Sequence, residues 1–324
     1  APAPSKYLVV RSTSATPPTP ANGTVYTVGA TTLGAGTNVR LASNATTFTD
    51  SGLTAGTQYY YHVFSYNDLC TGEPFYSAAA LTAGQATVCA SATSVATNTI
   101  TTNSANVTWT GSGNYIVEYG LTGFTPGTGA TNGTGGTIAS STATSPFVLT
   151  GLVGATGYSV YVRQVCPLGG YSANSTVSSF STACEAITVF PSTFDFASYL
   201  PSVCWKEGDL GDLTAGPTTI GASVSDWLVD GFLNDGSIGA AKMNIDAATG
   251  SEWLISPFYT IPNTSYRVKY SVGATNWNAT TVVTNWEADD FVELLVSTSN
   301  TNWTVLKTYN ASNVPSHLGQ IDEA

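Results

Sequence analysis

Apolar and polar residues alternate with a period of two along many short stretches of the chain. Residues 6–12 (KYLVVRS) and 58–67 (QYYYHVFSYN) are two such stretches, and glycine, proline or asparagine follows each within a few positions. Alternation of this kind places successive side chains on opposite faces of a β-strand. No stretch of ten residues has the apolar spacing i, i+3, i+4, i+7 of an amphipathic helix. The pattern therefore predicts an all-β protein.

Part of this pattern occurs twice. Residues 52–67 (GLTAGTQYYYHVFSYN) and 151–166 (GLVGATGYSVYVRQVC) align without gaps, and upstream of them residues 6–12 match 114–120 (NYIVEYG) in pattern. A repeat made of short alternating strands indicates tandem β-sandwich modules.

The repeated pattern G-L-x-x-x-T-x-Y-x-[YV]-x-V resembles the E–F corner and F strand of fibronectin type III domains. The resemblance implies that Leu53 and Leu152 plug the cores of two sandwiches. It also implies that Tyr59 and Tyr158 are the tyrosine corners, with structural roles. His62 alternates with inward-facing residues and is predicted to point outward. No nucleophile motif accompanies His62, so a catalytic role is not indicated.

The chain changes character at residue 184, beyond which lie six of its seven tryptophans. The series WLISP, an apolar strand and then DDFVELLVSTSNTNW resembles the MAM-like jelly-roll modules, including the cleaved-adhesin type, of secreted Bacteroidota proteins. The resemblance covers most of residues 190–310. It implies a jelly-roll sandwich, export by the type IX secretion route, and adhesion or accessory binding instead of catalysis.

These features predict three domains. Residues 1–88 are a fibronectin type III-like sandwich without its N-terminal strands, residues 89–183 are a second and complete one, and residues 184–324 are a jelly roll that stops before its last strands. Two explanations of the open sheets are considered. Either the chain is part of a longer polypeptide with neighbouring modules, or neighbouring copies donate the strands by β-strand addition.

The chain has five cysteines, no C-x-x-C pair and two histidines. This usage indicates disulfides in an oxidising, extracellular setting instead of a zinc site. In a fibronectin-like sandwich, the start of strand A and the end of strand F lie at the same end, so the resemblance implies a Cys89–Cys166 bridge. A Cys184–Cys204 bridge would tether the entrance of the third domain to an early strand. Cys70 nearly matches Cys166 in the repeat, and we expect it to pair with a cysteine absent from this chain; a reactive thiol is the alternative.

The formal net charge of −11 and the isoelectric point of about 4.3 bear on possible partners. Nucleic acids and anionic membrane surfaces require a basic patch, which this composition does not supply. No apolar segment is long enough to span a membrane. We therefore expect neither a nucleic-acid partner nor membrane insertion.

Acidic residues of the third domain are candidate calcium ligands. The jelly-roll resemblance implies a Ca²⁺ ion held by acids near the first strand and a later one, and the matching positions are Asp195, Asp289 and Asp290. Calcium needs six to eight oxygen ligands, so a single carboxylate is not sufficient. The alternative is that these residues are solvated acids at strand ends.

Residues 271–290 (SVGATNWNATTVVTNWEADD) are a candidate recognition loop. Trp277 and Trp286 lie among asparagines and threonines, a mixture suited to stacking on sugar rings with hydrogen bonds around them. The alternative is that one or both tryptophans fold back and cover the core.

No G-x-S-x-G, H-E-x-x-H, P-loop or dinucleotide-binding motif is present. The sequence predicts a non-catalytic extracellular adhesin or surface-fibre segment, in which a β-sandwich stalk presents a binding jelly roll to a glycan or a cell-surface protein. The alternative is an accessory carbohydrate-binding region of a larger secreted hydrolase or protease.

Overall fold

The computed structural model describes residues 4–69, 71–221, 223–245, 250–284 and 286–324. These residues form β-strands and a single short 3₁₀ turn, Phe232–Asn234, which confirms the all-β prediction. No helix among the described residues is long and apolar enough to cross a membrane. The chain divides into two compact units, Ala1–Thr182 and Ala183–Ala324. Within the first unit, residues 4–88 are called the first module below, and residues 89–182 the second module.

The first module is one antiparallel sheet. Its strands run in the order β2-β1-β3-β4, and β5 also pairs with β3. The strands are β1 (Lys6–Ser12), β2 (Asn38–Ser43), β3 (Gln58–Asn67), β4 (Phe75–Tyr76) and β5 (Leu81–Ala86).

A buried cluster of the first module lies on one face of this sheet, and Val9 and Tyr59 on the other face are buried as well. Alternate residues of β1 and β3 on this face pack against Tyr26 and Val39. Tyr26 belongs to the long segment 13–37 between β1 and β2, which contributes Ala30 and Leu33 as well. The buried cluster on this face consists of Leu8, Val10, Tyr26, Val39, Phe64 and Tyr66.

The prediction that His62 points outward is wrong, because its side chain is fully buried. Its ring Nδ1 lies 2.9 Å from Thr82 Oγ1, and Nε2 lies 3.2 Å from the carbonyl oxygen of Ser14. Alternation does place His62 on the sheet face opposite Tyr61. The chain segment that follows β1 covers that face. His62 therefore points away from the side on which a second sheet would pack, and it is still buried.

The second module is a sandwich of two sheets, with strand orders β10-β7-β6 and β12-β11-β8-β9. These orders are those of a fibronectin type III-like sandwich, and the order β9-β8-β11-β12 repeats β2-β1-β3-β5 of the first module. The strands are β6 (Thr93–Asn98), β7 (Ser104–Thr110), β8 (Tyr115–Leu121), β9 (Gly136–Ala143), β10 (Phe147–Thr150), β11 (Gly157–Gln164) and β12 (Ser178–Ser181).

Side chains from both sheets meet in the core of the second module. Trp109 lies edge-on to Tyr115, with ring centroids 5.3 Å apart. Full burial of an apolar side chain such as Val107 or Leu149 stabilises the fold by roughly 1.5–3 kcal/mol. The principal members of this core are Val107, Trp109, Tyr115, Val117, Leu149, Leu152, Tyr158, Val160, Val162 and Phe180.

Both predicted tyrosine corners are confirmed. The amide of Thr54 donates to the hydroxyl of Tyr59 at 3.0 Å, and the amide of Val153 donates to that of Tyr158 at 3.0 Å. The predicted leucine plugs differ from one another. Leu152 is buried, whereas Leu53 is 37% exposed, because no second sheet of the described chain faces it.

The described residues contain two disulfides, Cys89–Cys166 and Cys184–Cys204, and these are the two pairs expected from the sequence. Each links residues of a single unit. Cys70, which was expected to pair with a cysteine absent from this chain, lies outside the described residues.

A buried ion pair between Glu118 and Arg163 lies on the outer face of the β12-β11-β8-β9 sheet, and both side chains are fully buried. The glycine-rich segment 122–135 folds over this pair. The Glu118 carboxylate accepts from the amides of Gly127 at 3.1 Å and Gly133 at 2.6 Å. A Cβ on Gly133 would lie 1.9 Å from a backbone oxygen, so this close approach requires glycine.

The corresponding position of the first module is apolar. The aligned repeats place Val10 and Phe64 where the second module has Glu118 and Arg163. Both modules therefore cover the outer face of their sheet with a long connection, one by apolar packing and the other by a buried charge pair.

A second difference between the modules lies on the inner face. Asp50 aligns with the buried core residue Leu149, and its carboxylate forms ion pairs with Arg11 and Arg40. It also accepts a hydrogen bond from the hydroxyl of Tyr61 at 2.8 Å. Burial acts to raise the pKa of Asp50, but the Tyr61 hydrogen bond and the two guanidinium groups outweigh it and hold the pKa below its ordinary value.

Acidification is expected to destabilise the first module as Asp50 takes up a proton. Since the folded-state pKa of Asp50 is lowered, its stabilisation is complete above the ordinary pKa and is lost as the pH falls through the folded-state pKa. In an Asp50→Asn variant this dependence below about pH 4 should disappear. Thermal unfolding followed by circular dichroism between neutral and acidic pH measures it.

Asp68 supplies the matched control, because its ion pair with Lys6 is more exposed. Exposed pairs contribute little. Asp68→Asn should therefore leave most of the pH dependence in place. The same acid sensitivity in Asp50→Asn as in the parent chain would contradict the assignment.

The second unit contains nine short strands among its described residues, arranged in the sheets β14-β13-β17, β15-β16, β18-β21 and β19-β20. The jelly-roll arrangement of this unit stays a prediction. The strands are β13 (Lys206–Asp209), β14 (Thr219–Gly221), β15 (Leu228–Asp230), β16 (Ala240–Lys242), β17 (Glu252–Ile255), β18 (Lys269–Val272), β19 (Phe291–Val296), β20 (Thr304–Asn310) and β21 (Gln320–Glu323).

Strands β19 and β20 pair antiparallel as a hairpin. Phe291, at the start of β19, is 59% exposed. Trp253 is buried and donates its indole N–H to the carbonyl of Leu210 at 2.8 Å. Trp227 is half-buried.

Candidate ligand-binding surface

Trp277 lies at the tip of a short hairpin in the second unit. Thr275 and Val282 form an isolated antiparallel bridge, and inside it the amide of Asn276 donates to the carbonyl of Thr281 at 3.0 Å. Asn278 follows in the turn with a φ of 50°, a left-handed conformation that asparagine adopts more readily than most residues. The Trp277 side chain is 53% exposed. The hairpin therefore presents a large aromatic ring to solvent.

Contacts outside the hairpin fix its position. Asn234, in the 3₁₀ turn, donates through its side-chain amide to Thr275 Oγ1 at 2.6 Å and to the carbonyl of Ala279 at 2.9 Å. The side-chain oxygen of Asn276 accepts from the amide of Thr284 at 3.1 Å. A loop held at three points loses little conformational entropy when it binds a ligand.

A lysine lies against the Trp277 ring. Lys242 Nζ is 4.8 Å from the ring centroid, a cation–π distance, and forms an ion pair with Asp230. The same Nζ lies 3.3 Å from Asn234 Oδ1 and 3.3 Å from Asn278 Oδ1. The hydrogen bond from Lys242 holds the pKa of Asp230 below its ordinary value. The positive charge beneath the ring is therefore balanced by a carboxylate.

This arrangement has the chemistry of a platform for a neutral, hydroxyl-rich ligand. The exposed part of the indole offers an apolar stacking surface, and the amide of Asn278 lies next to it in the chain. Because Lys242 and Asp230 neutralise each other, the platform offers no net charge to attract an anion.

Trp286, the other predicted contact residue, has a different environment. It is half-buried, and its indole N–H donates to the carbonyl of Asp290 at 2.9 Å. It lines an open cavity of about 430 Å³. The other lining residues include Val282, Val283, Thr284, Pro315, Ser316 and His317.

The predicted calcium ligands are engaged in local turns. Asp195 Oδ1 accepts from the amide of Ala197 at 3.1 Å, and Asp290 Oδ2 accepts from the amide of Glu287 at 3.0 Å. In the part of the chain that the structure describes, no group of three or more histidine, cysteine, aspartate or glutamate side chains gathers to hold a metal ion. Asp195, Asp289 and Asp290 thus form no such group, and calcium binding stays a prediction.

Sequence reasoning missed Lys242, Asp230 and Asn234 as parts of the Trp277 surface. The available signal was weak. Lys242 interrupts the apolar stretch AAKMNI (240–245), and Asp230 follows the apolar residues WLV in DWLVDGF (226–232). Their pairing across β15 and β16 brings the two charges together, and this register could not be read from composition.

No protein-family description matches this chain, and no curated protein matches it. Among solved structures, it is similar to a two-domain fibronectin type III segment from chicken tenascin, with 23% identity over 55% of this chain and 84% of that one, at a TM-score of 0.29. It is also similar to the FN1–FN3 domains of chicken CNTN1, with 15% identity over 55% of this chain and 56% of that one, at a TM-score of 0.24.

Proposed function

We propose that this chain is a non-catalytic extracellular segment of a modular adhesin, and that its second unit binds a neutral glycan through the Trp277 hairpin. The observation that carries the binding proposal is the half-exposed Trp277 ring on a hairpin anchored by Asn234. The sequence resemblance of residues 190–310 to cleaved-adhesin-type modules supports adhesion.

Two disulfides and tandem sandwich modules support the extracellular part of the proposal. Disulfides persist in oxidising compartments, and many cell-surface proteins use sandwich domains of this kind. The net charge of −11 would repel strongly anionic ligands at low salt. A neutral sugar is therefore favoured over an acidic one.

A glycan array probed with the whole chain tests the proposal. Trp277→Ala is expected to lower the affinity for the bound glycan about tenfold, because an aromatic stacking contact of about 1.4 kcal/mol is lost. Trp277→Phe should retain part of the binding, since it keeps an aromatic face. Isothermal titration calorimetry with the best array hit gives the affinities.

The matched control is Leu318→Ala, which changes another highly exposed apolar side chain of the same unit. It should bind like the parent chain. Failure of the parent chain to bind any glycan, or equal binding by Trp277→Ala, would refute the proposed platform.

The accessory carbohydrate-binding region of a secreted hydrolase or protease is the second candidate, because the same ring and amides suit it. The two candidates differ in what binding achieves. Attachment of chain-coated beads to cells, abolished by the free glycan, supports the adhesin. Binding to soluble or insoluble polysaccharide without cell attachment supports the accessory region.

A further inference from the structure

The cavity that Trp286 lines begins at the base of the Trp277 hairpin. Val282, the bridge partner of Thr275, lines this cavity, and so does Ala274, the residue that precedes Thr275. Ala274 and Trp277 are three residues apart, so their Cα atoms are separated by at most about 11 Å. A ligand that stacks on Trp277 therefore needs only a short extension to reach the cavity.

One element supports both the hairpin and the loop 314–320, which contributes further lining residues. Asn234 of the 3₁₀ turn anchors the hairpin, and Phe232 of the same turn packs on the loop. A Cβ on Gly319 would lie only 2.6 Å from Phe232 Cε1. Leu233 and Asn234 have φ values of 63° and 58°, and non-glycine residues keep this left-handed backbone only where their surroundings impose it. The hairpin and the cavity are thus fixed on a common support.

The loop 314–320 brings two polar groups to the cavity, the hydroxyl of Ser316 and the imidazole of His317. Ser316 Oγ accepts from the amide of Leu318 at 3.1 Å, so its own proton remains free to be donated. The His317 ring is half-buried, and no residue that the structure describes forms a hydrogen bond with it. A neutral imidazole offers one donor and one acceptor, and both are available to a ligand here.

The rest of the lining is apolar or carries a hydroxyl group, as in Val282, Val283, Thr284 and Pro315. No aspartate, glutamate, lysine or arginine of the described residues lines the cavity. Its volume of about 430 Å³ lies within the range of about 300–1,000 Å³ that is usual for small-ligand pockets. A mixture of apolar walls and uncharged polar groups suits a sugar unit, which presents C–H faces and hydroxyl groups.

We infer that the cavity is a second subsite of the glycan-binding surface, and that the ligand is a neutral oligosaccharide. One sugar unit stacks on Trp277, and a neighbouring unit of the same glycan enters the cavity. There it packs against Trp286 and exchanges hydrogen bonds with His317. The inference rests on the proposed function, because it extends the Trp277 platform, and it adds that a single sugar unit occupies only part of the site.

Oligomers of neutral sugars test how many units the site holds. Glucose, xylose, mannose and N-acetylglucosamine, each as monomer to tetramer, are titrated into the whole chain by isothermal titration calorimetry. For the series that binds, we expect the affinity to rise at least tenfold from the monomer to the longer oligomers. It should stop rising once both subsites are filled.

Substitutions in the cavity separate the two subsites. His317→Ala should lower the affinity for the longer oligomers about fivefold, the effect of one hydrogen bond, and leave that for the monomer unchanged. Ala311→Phe places a ring at a lining position and should reduce oligomer affinity to that of the monomer. Leu318→Ala is the matched control, because Leu318 is next to His317, is highly exposed and does not line the cavity.

Equal affinity for the monomer and the longer oligomers would overturn the inference. Oligomer binding that neither His317→Ala nor Ala311→Phe weakens would overturn it as well. In both cases, loss of binding in Trp277→Ala would leave the proposed platform standing. If the parent chain binds no glycan at all, the proposed function fails, and the second subsite fails with it.

Discussion

Replacing Arg163 by alanine is expected to destabilise the second module by about 3–5 kcal/mol, because Glu118 is left charged, buried and without its partner. The loss extends beyond the ion pair. Arg163 Nε donates to the carbonyl of Gly129 at 2.7 Å, and Arg163 Nη2 donates to that of Thr131 at 2.9 Å. The variant therefore also frees the segment 122–135 from the sheet that it covers.

Urea denaturation of the whole chain, combined with hydrogen exchange of residues 115–121 and 157–164, measures this effect in the right module. Lys6→Ala is the matched control, because it breaks the more exposed Lys6–Asp68 pair and should destabilise the chain far less than Arg163→Ala. Exchange in β8 and β11 that is no faster in Arg163→Ala than in the control would show that the pair does not stabilise the module.

Removing the Cys89–Cys166 disulfide is expected to cost about 4.5 kcal/mol in the chain-entropy model. The bond closes a loop with a sequence separation of 77, and an open chain of that length gains much conformational freedom when it unfolds. The double variant Cys89→Ser, Cys166→Ser should shift the urea midpoint of the second module to lower concentration, with faster exchange throughout β7, β8 and β11.

The other disulfide provides the comparison. Cys184–Cys204 spans a separation of 20 and lies in the second unit. Its double serine variant should lower the stability of that unit by about 3 kcal/mol and leave exchange in the second module unchanged. Equal exchange rates in β11 for both double variants would contradict the assignment of the larger effect to the second module.

The features that were predicted from the sequence depend on contacts between residues that lie close together in the chain. The tyrosine corners are an example, because the hydroxyl of Tyr59 meets the amide of Thr54 and that of Tyr158 meets the amide of Val153. The same local pattern determines the turn that precedes β3 and β11 and which residues of these two strands face the core. The alternation of apolar and polar residues in β1, β3, β8 and β11 was also predicted from the sequence.

What the sequence did not predict depends on long connections without regular structure. Alternation gives the side of the sheet on which His62 lies, but it does not tell that the chain around Ser14 covers that side. The Glu118–Arg163 pair was missed for the same reason, since its burial depends on the fold of residues 122–135. A single charge in each of two apolar strands was the signal present in the sequence.

The candidate site was predicted in part. Trp277 and Trp286 were chosen together because they share a polar sequence context, yet the structure leaves one half-exposed at a hairpin tip and anchors the other by Asp290. The difference arises from contacts that are distant in sequence, above all those of Asn234 and Lys242. Local composition contains no information about such contacts.

The Cys89–Cys166 bond also determines how the second module responds to mechanical tension. A pulling force applied at residues 89 and 182 passes from Cys89 directly to Cys166 through the bond, so residues 90–165 carry none of the load. A chain lengthens by at most about 3.6 Å per residue, and in the oxidised module only residues 167–182 can lengthen in this way. The module is therefore a stiff link in an oxidising environment and an extensible one after reduction.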